Sequence, residues 1–145
     1  MNKTNVIKAI AVMERVKERG DSFSMRHWQF PREDSGRACT SEDDLHECRM
    51  PACFGGWIAV SPEFIANGGS AAPSSGVPVF GSGDPGDASI GAWLGINEED
   101  SANLCGLFET AMYGGKPVVD VNVDDVLRVL YRLRDTGTIH ITSTQ

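Results

Sequence analysis

The sequence predicts an all-α protein, a compact bundle of five or six helices of unequal length with one long loop rich in Gly, Pro and Ser. Two observations favour this class. Apolar residues recur at helical spacing in several segments, and most of these segments lie between an N-capping residue and a glycine. The chain has 145 residues, of which 41% are apolar and 23% are charged. This length and composition predict a single globular domain over residues 1–145.

The first helix is predicted over residues 4–19. Thr4 can cap its N-terminus, and Gly20 is placed to end it. Its apolar residues recur at helical spacing: Val6, Ile7, Ile10, Met13 and Val16. Residues 21–50 then predict an irregular loop, in which an apolar patch precedes a polar stretch. Ser41 is followed by three acidic residues and favours a short helical turn, because a helix N-terminus stabilises anions.

A short buried helix is predicted over residues 51–60, beginning at Pro51 or Ala52 because proline suits a first helical position. Gly55 and Gly56 lower its helix propensity and suggest that another backbone approaches closely. A second short turn follows near Pro62. Residues 67–87 predict the long loop, with a short extended piece over residues 77–80.

Three further helices are predicted over residues 88–94, 98–112 and 123–135. Their N-caps are expected to be Asp87, Asn97 and Asn122, and glycines follow the first and third of these helices. Residues 138–142 alternate in polarity and predict a strand or an extended tail. The residues expected to contribute to the core are Trp28, Cys53, Trp57, Trp93 and Phe108.

The net charge is −7, from 13 basic and 20 acidic side chains. A protein that wraps nucleic acid needs the opposite sign to neutralise phosphates, so direct nucleic-acid binding is not expected. No apolar run is long enough to cross a membrane, and residues 1–20 contain no signal-peptide core. We therefore expect the protein in the cytoplasm, a reducing compartment where disulfides are rare.

Four potential metal ligands lie within fifteen residues in the spacing C-x6-H-x-C-x4-C. They are Cys39, His46, Cys48 and Cys53. Soft sulfur and imidazole ligands can close a tetrahedral zinc site, although the common zinc knuckles space their paired ligands more closely. The zinc site is therefore an alternative hypothesis, and no cofactor is the main expectation.

Two other kinds of chemistry use the same residues. Cys48 and Cys53 could form a redox pair, with the thiol pKa of Cys53 lowered by a helix N-terminus. Cys53 could also serve as the nucleophile of a hydrolase, with His27, His46 or His140 as base. The sequence has no P-loop, no H-E-x-x-H and no G-x-S-x-G motif, so an enzyme is not the main expectation.

An acidic cluster in the loop is the expected partner-binding surface. Its residues are Glu42, Asp43, Asp44 and Glu47. With six further acidic residues in the later part of the chain, they could imitate the phosphates of a nucleic acid and occupy a nucleic-acid-binding protein. These are Glu98, Glu99, Asp100, Asp120, Asp124 and Asp125. Most of these carboxylates also suit ordinary helix caps and loops, which is the simpler interpretation.

Two short motifs occur in residues 23–60. Phe23, Met25 and Trp28 match F-x-M-x-x-W, and Cys48, Ala52, Cys53, Gly56 and Trp57 match C-G-T-x-A-C-x-x-G-W. In these motifs the chain resembles a family of small uncharacterised proteins of tailed bacteriophages and prophages. Arg49 and Met50 replace the Gly-Thr of the second motif, and Cys39 and His46 lie outside it. The resemblance implies a phage setting and a compact helical fold, with no chemistry attached.

The function expected from these observations is that of a phage-encoded accessory protein in the host cytoplasm. It would bind a host protein without catalysis, and bacterial defence or host machinery is the leading target. The alternative is a zinc-binding protein, or one that sequesters a small ligand, using residues 39–53 or a cleft between helices.

Overall fold

The computed structural model describes residues 1–25, 28–29, 38–49, 51–81, 84–105, 117 and 120–139. Seven helices and two strands lie within these ranges. The helices are α1 (Lys3–Arg19), α2 (Glu42–Cys48), α3 (Phe54–Val60), α4 (Pro62–Ala66), α5 (Asp87–Leu94), α6 (Glu98–Leu104) and α7 (Val123–Thr136). The strands are β1 (Gly69–Ala71) and β2 (Pro78–Phe80). No helix in these ranges is both long enough and apolar enough to cross a membrane.

Helix α1 packs lengthwise against α7, and both helices end as the sequence predicts. Gly20 and Gly137 adopt positive φ angles of 67° and 76° at the two C-termini. Asn122 caps α7, and the carboxylate of Asp125 accepts a hydrogen bond from the Asn122 backbone N–H. The prediction of Thr4 as the cap of α1 is wrong, because Asn2 occupies that position and accepts a hydrogen bond from the Asn5 backbone.

One residue of the predicted α1 stripe is misplaced. Ile7 is 49% exposed, whereas Val12, absent from that stripe, is fully buried. The residues at positions 6, 9, 13 and 16 form a fully buried stripe, and Ile7 lies about 100° away from Val6 around the helix axis.

Helix α3 is buried throughout and lies at the centre of the core. It begins at Phe54 rather than at Pro51 or Ala52, because Ala52 pairs with Phe23 in a short parallel bridge and so has extended backbone. Trp57 and Trp93 are buried as predicted, as is Cys53, while Trp28 is half-buried. The predicted core residue Phe108 lies outside the described residues.

The close approach predicted from the glycine pair of α3 is confirmed. A Cβ atom built on Gly56 would lie 1.7 Å from the backbone oxygen of Trp28. A Cβ on Gly55 would lie 2.3 Å from the Trp28 ring. Trp28 therefore packs directly onto the helix backbone, through its ring and its carbonyl.

The long Gly/Pro/Ser loop contains a small antiparallel sheet, so the prediction of an all-α fold is wrong in this respect. Ser70 pairs with Val79 at the centre of the β1–β2 register. Two contacts of Phe80 stabilise the sheet. Its ring packs against that of Phe64, with 5.8 Å between the ring centroids, and the Phe80 backbone N–H donates to the Ser89 hydroxyl. The fold is therefore mostly helical, with seven short and long helices in the described residues and one hairpin.

The two helices that follow differ from the prediction at their ends. Gly86, with a φ of 95°, precedes α5, so Asp87 is the first helical residue and not the cap. Asn97 caps α6 as predicted, but α6 ends at Leu104, just before Cys105 and the helix-disfavouring Gly106. The remainder of the predicted 98–112 helix lies outside the described residues, as does most of the predicted tail over 138–142.

Candidate functional site

Helix α2 carries three of the four predicted partner-binding carboxylates at its surface and two of the four predicted zinc ligands. Ser41 caps it by accepting a hydrogen bond of 3.2 Å from the backbone N–H of Asp44, which confirms the predicted helical turn. Three acidic residues fill its first turn, where the positive end of the helix dipole stabilises them. Arg49 ends the helix in the left-handed region, with a φ of 56°.

Glu42 points inward and joins α2 to the end of α1. Its carboxylate lies 3.0 Å from a guanidinium nitrogen of Arg15 and 3.7 Å from one of Arg19, and its side chain is only 10% exposed. Arg15 also binds Glu63 of α4, and its hydrogen bonds hold the pKa of Glu63 below the usual value while raising its own. Glu42 is therefore part of an internal ion-pair network that fixes α2.

The other three predicted carboxylates face solvent. Asp43, Asp44 and Glu47 are all exposed, and none of them forms an ion pair within the described residues. Residues 43 and 47 are four positions apart and residues 44 and 47 three apart, so the three side chains share one side of α2. We call these three residues the α2 acidic face.

His46 lies beside a buried carboxylate that the sequence did not single out. The Asp21 side chain is 2% exposed, and Arg19 donates to it at 2.9 Å through Nε. The second oxygen of Asp21 is in short contact with Nδ1 of His46. A histidine held at Nδ1 in this way leaves its Nε2 for another partner.

A cavity of about 510 Å³ opens beside this pair, and we call it the α2 cavity. Its lining residues come from the last residue of α1 and the three residues that follow it, and from the C-terminal half of α2 and the residue after it. They are Arg19, Gly20, Asp21, Ser22, His46, Glu47 and Arg49. The cavity thus combines an oriented histidine with an arginine, Arg49, that is exposed to solvent.

Of the four predicted zinc ligands, the structure brings two together. The Sγ atoms of Cys39 and Cys48 lie 3.2 Å apart. His46 instead contacts Asp21, and Cys53 caps α3 by accepting a bond of 3.4 Å from the Gly56 backbone. No three His, Cys, Asp or Glu side chains come together as a metal-binding group in the described part of the chain. The zinc site stays a prediction.

The prediction of a lowered thiol pKa at Cys53 is wrong. Burial raises its pKa to about 11, and the backbone N–H groups at the start of α3 offset this only in part. Cys53 therefore remains a thiol at neutral pH, which argues against its use as a nucleophile or as half of a redox pair. His27 and His140, two of the three bases considered for a hydrolase, lie outside the described residues.

The residues that position this site were missed because they are far apart in sequence. Asp21 lies 25 positions from His46, and Gln29 lies ten positions from Cys39, whose backbone it binds. No local spacing pattern links such pairs. One usable signal was the acidic and polar character of residues 20–22, directly after a helix that carries two arginines on one side.

Comparisons of the chain with protein-family models, with curated proteins and with solved structures give no match. The resemblance to small phage proteins therefore stays a prediction from sequence motifs.

Proposed function

We propose that this protein is a phage-encoded accessory protein that acts by binding a host protein without catalysis, and that the α2 acidic face contacts that partner. The observation that carries the proposal is the division of the four carboxylates. Glu42 is neutralised by Arg15 and Arg19 inside the protein, whereas Asp43, Asp44 and Glu47 are exposed together on one side of the helix.

The chemistry of this face favours a basic partner. Three carboxylates on one helical turn, in a chain of net charge −7, attract a surface rich in lysine and arginine. A partner that normally binds nucleic acid presents such a surface. Binding between exposed charges weakens as salt screens them, so the affinity should fall steeply between low and physiological ionic strength.

The test is a charge reversal with a matched control. The variant D43K/D44K/E47K removes the face, and D84K/E98K/E99K reverses three exposed carboxylates elsewhere. Both variants place lysines in the first turn of a helix and so carry a similar penalty from the helix dipole. Each protein is used to capture a partner from host lysate, and the dissociation constant of the identified partner is then titrated at two salt concentrations.

We expect D43K/D44K/E47K to lose binding by about 100-fold or more, as reversing three close charge pairs does at electrostatic interfaces. The control should keep most of its affinity. Equal affinities for the wild type and D43K/D44K/E47K would exclude the α2 acidic face as the contact surface. Circular dichroism of both variants checks that α2 and the rest of the fold are retained.

A second candidate function is the sequestering of a small anionic ligand in the α2 cavity. The specific observation in its favour is the cavity of about 510 Å³ lined by Arg49 and the oriented His46. Inorganic phosphate and a nucleoside monophosphate are suitable first probes, titrated by calorimetry. The variant R49G removes the cation at a position whose φ of 56° suits glycine, so the backbone is preserved. Binding that is unchanged in R49G would place the ligand elsewhere.

A further inference from the structure

A pair of thiols lies between the segment that precedes α2 and the last residue of that helix. Sγ of Cys39 and Sγ of Cys48 are 3.2 Å apart. A disulfide bond is about 2.05 Å long, so the two sulfur atoms need to approach by only about 1.2 Å to bond. A small rotation about the side-chain bonds of either residue moves its sulfur atom by about this distance.

Both residues are held in place by neighbouring groups. The side-chain amide of Gln29 donates to the carbonyl of Cys39 and accepts from its N–H, each at 2.7 Å. Ala38 is anchored in turn by a bond to the carbonyl of Pro73. Cys48 is fixed as the end of α2, where its thiol donates to the Leu45 carbonyl at 3.5 Å. Because the pair is preorganised, closing it costs little conformational entropy.

The four cysteines differ in their access to solvent. Cys48 is half-buried, whereas Cys39 is 4% exposed. Cys53 and Cys105 are almost fully buried, and burial raises the pKa of both thiols. A reagent in solution therefore meets Cys48 first, and Cys39 is the thiol that stands next to it.

We infer that Cys39 and Cys48 form a redox-reactive pair whose substrate is a low-molecular-weight disulfide such as oxidised glutathione. The Cys48 thiolate attacks one sulfur of the small disulfide, which forms a mixed disulfide and releases one small thiolate. The Cys39 thiol then loses its proton and attacks the Cys48 sulfur, which releases the second small thiolate. In total, two protein thiols are oxidised to a disulfide and one small disulfide is reduced to two small thiols. The two protons of the protein thiols end on these small thiols.

The product would join the segment before α2 to the end of that helix by a covalent bond. In a reducing compartment the pair stays as thiols, and a more oxidising glutathione pool closes it. Closure fixes α2 at both of its ends, since its N-terminal residue Glu42 is already held by Arg15 and Arg19. This consequence does not depend on which partner the α2 acidic face binds.

The experiment treats the reduced full-length protein with oxidised glutathione and follows its intact mass over time. We expect a final product about 2 Da lighter than the reduced chain, with no glutathione retained, because the second step releases it. Proteolysis without reductant, followed by mass spectrometry, should identify a cross-linked peptide that contains Cys39 and Cys48. A cross-link between any other pair of cysteines would overturn the inference, and this arm needs no variant.

Three variants separate the two steps. C48S should react at least about tenfold more slowly, because it lacks the accessible thiol. C39S should accumulate a stable mixed disulfide on Cys48, because the resolving thiol is missing, and C39A serves as a second version if serine unfolds this buried position. C105S is the control and should form the bond at the wild-type rate. Oxidation of C48S at the wild-type rate would contradict the role of Cys48 as the attacking thiol. Failure of both C39S and C39A to retain glutathione would contradict the role of Cys39 as the resolving thiol.

Discussion

Replacing Gly56 with alanine tests the contact on which the geometry of the candidate site depends. The added Cβ would lie 1.7 Å from the backbone oxygen of Trp28 and 3.1 Å from the Cβ of Ala52. Ala52 is hydrogen-bonded to the backbone of Ser22 and Ser24, and the Ser22 carbonyl also accepts a bond from the Trp57 ring. Asp21 directly precedes Ser22 in the chain. A displacement of Ala52 therefore shifts the residues next to the carboxylate that contacts His46.

The size of the effect follows from two opposing terms. Alanine is favoured over glycine in a helix interior by about 1 kcal/mol. Against this, a carbon and an oxygen atom need roughly 3.2 Å between them, so the backbone at residue 28 must retreat by about 1.5 Å. Overpacking of a core costs about 1–3 kcal/mol when side chains can adjust, and more when the obstacle is backbone. We expect a net loss of about 2 kcal/mol or more in the free energy of unfolding.

Urea denaturation followed by circular dichroism measures this loss. The control is Gly20→Ala at the end of α1, where nothing lies within 4 Å of the added Cβ and the cost is limited to the φ of 67°. That conformational cost is about 1–2 kcal/mol. The reasoning is refuted if Gly56→Ala is as stable as the wild type, since the close approach of residue 28 to α3 would then be absent.

Three further predictions concern single residues of the site. Cys53→Ala should destabilise the protein by about 1 kcal/mol more than Cys53→Ser, because only serine can still cap α3. Thermal unfolding compares the two variants, and equal stability would show that Cys53 does not stabilise α3 as its cap. Arg49→Gly should raise the free energy of unfolding by about 0.5–1 kcal/mol, because glycine adopts the left-handed backbone angle at this position without strain. A lower free energy of unfolding in urea denaturation would contradict this prediction. Glu63 has a lowered pKa because Arg15 donates hydrogen bonds to it, so its stabilisation is present above the usual carboxyl pKa of 4.5 and is lost as the pH falls through the lowered value. The difference in unfolding free energy between wild type and Glu63→Gln should shrink over that range, and a constant difference would exclude the ion pair as its cause.

The helices were predictable where the sequence carries both a periodic stripe and an end signal. Asn97, Asn122 and Ser41 cap their helices as expected, and Gly20, Gly95 and Gly137 end theirs. These signals act within a few residues, so the chain itself contains the information. The cap of α1 was misassigned because Asn2 and Thr4 are both good caps two positions apart, and the choice between them depends on the contact of the Asn2 backbone with Leu94.

The remainder depends on contacts that no local pattern encodes. The strands β1 and β2 are three residues long and lie in a loop rich in Gly, Pro and Ser, so their pairing depends on Phe64 and Ser89 packing against them. The thiol contact depends on Gln29, which fixes the backbone of Cys39. A prediction based on spacing placed Cys48 with Cys53, whereas the fold assigns Cys53 to the cap of α3 and Cys48 to Cys39.

Helix α2 shows how far the candidate site depends on these long-range contacts. Seven residues are too few for a helix to be stable in isolation, so α2 exists because other parts of the chain hold it. Glu42 binds the arginines of α1, His46 meets Asp21, and Cys48 lies against Cys39. These contacts use the inner side and the end of the helix. The exposed carboxylates take no part in them, so we expect a charge reversal at Asp43, Asp44 and Glu47 to leave the anchors of the helix in place.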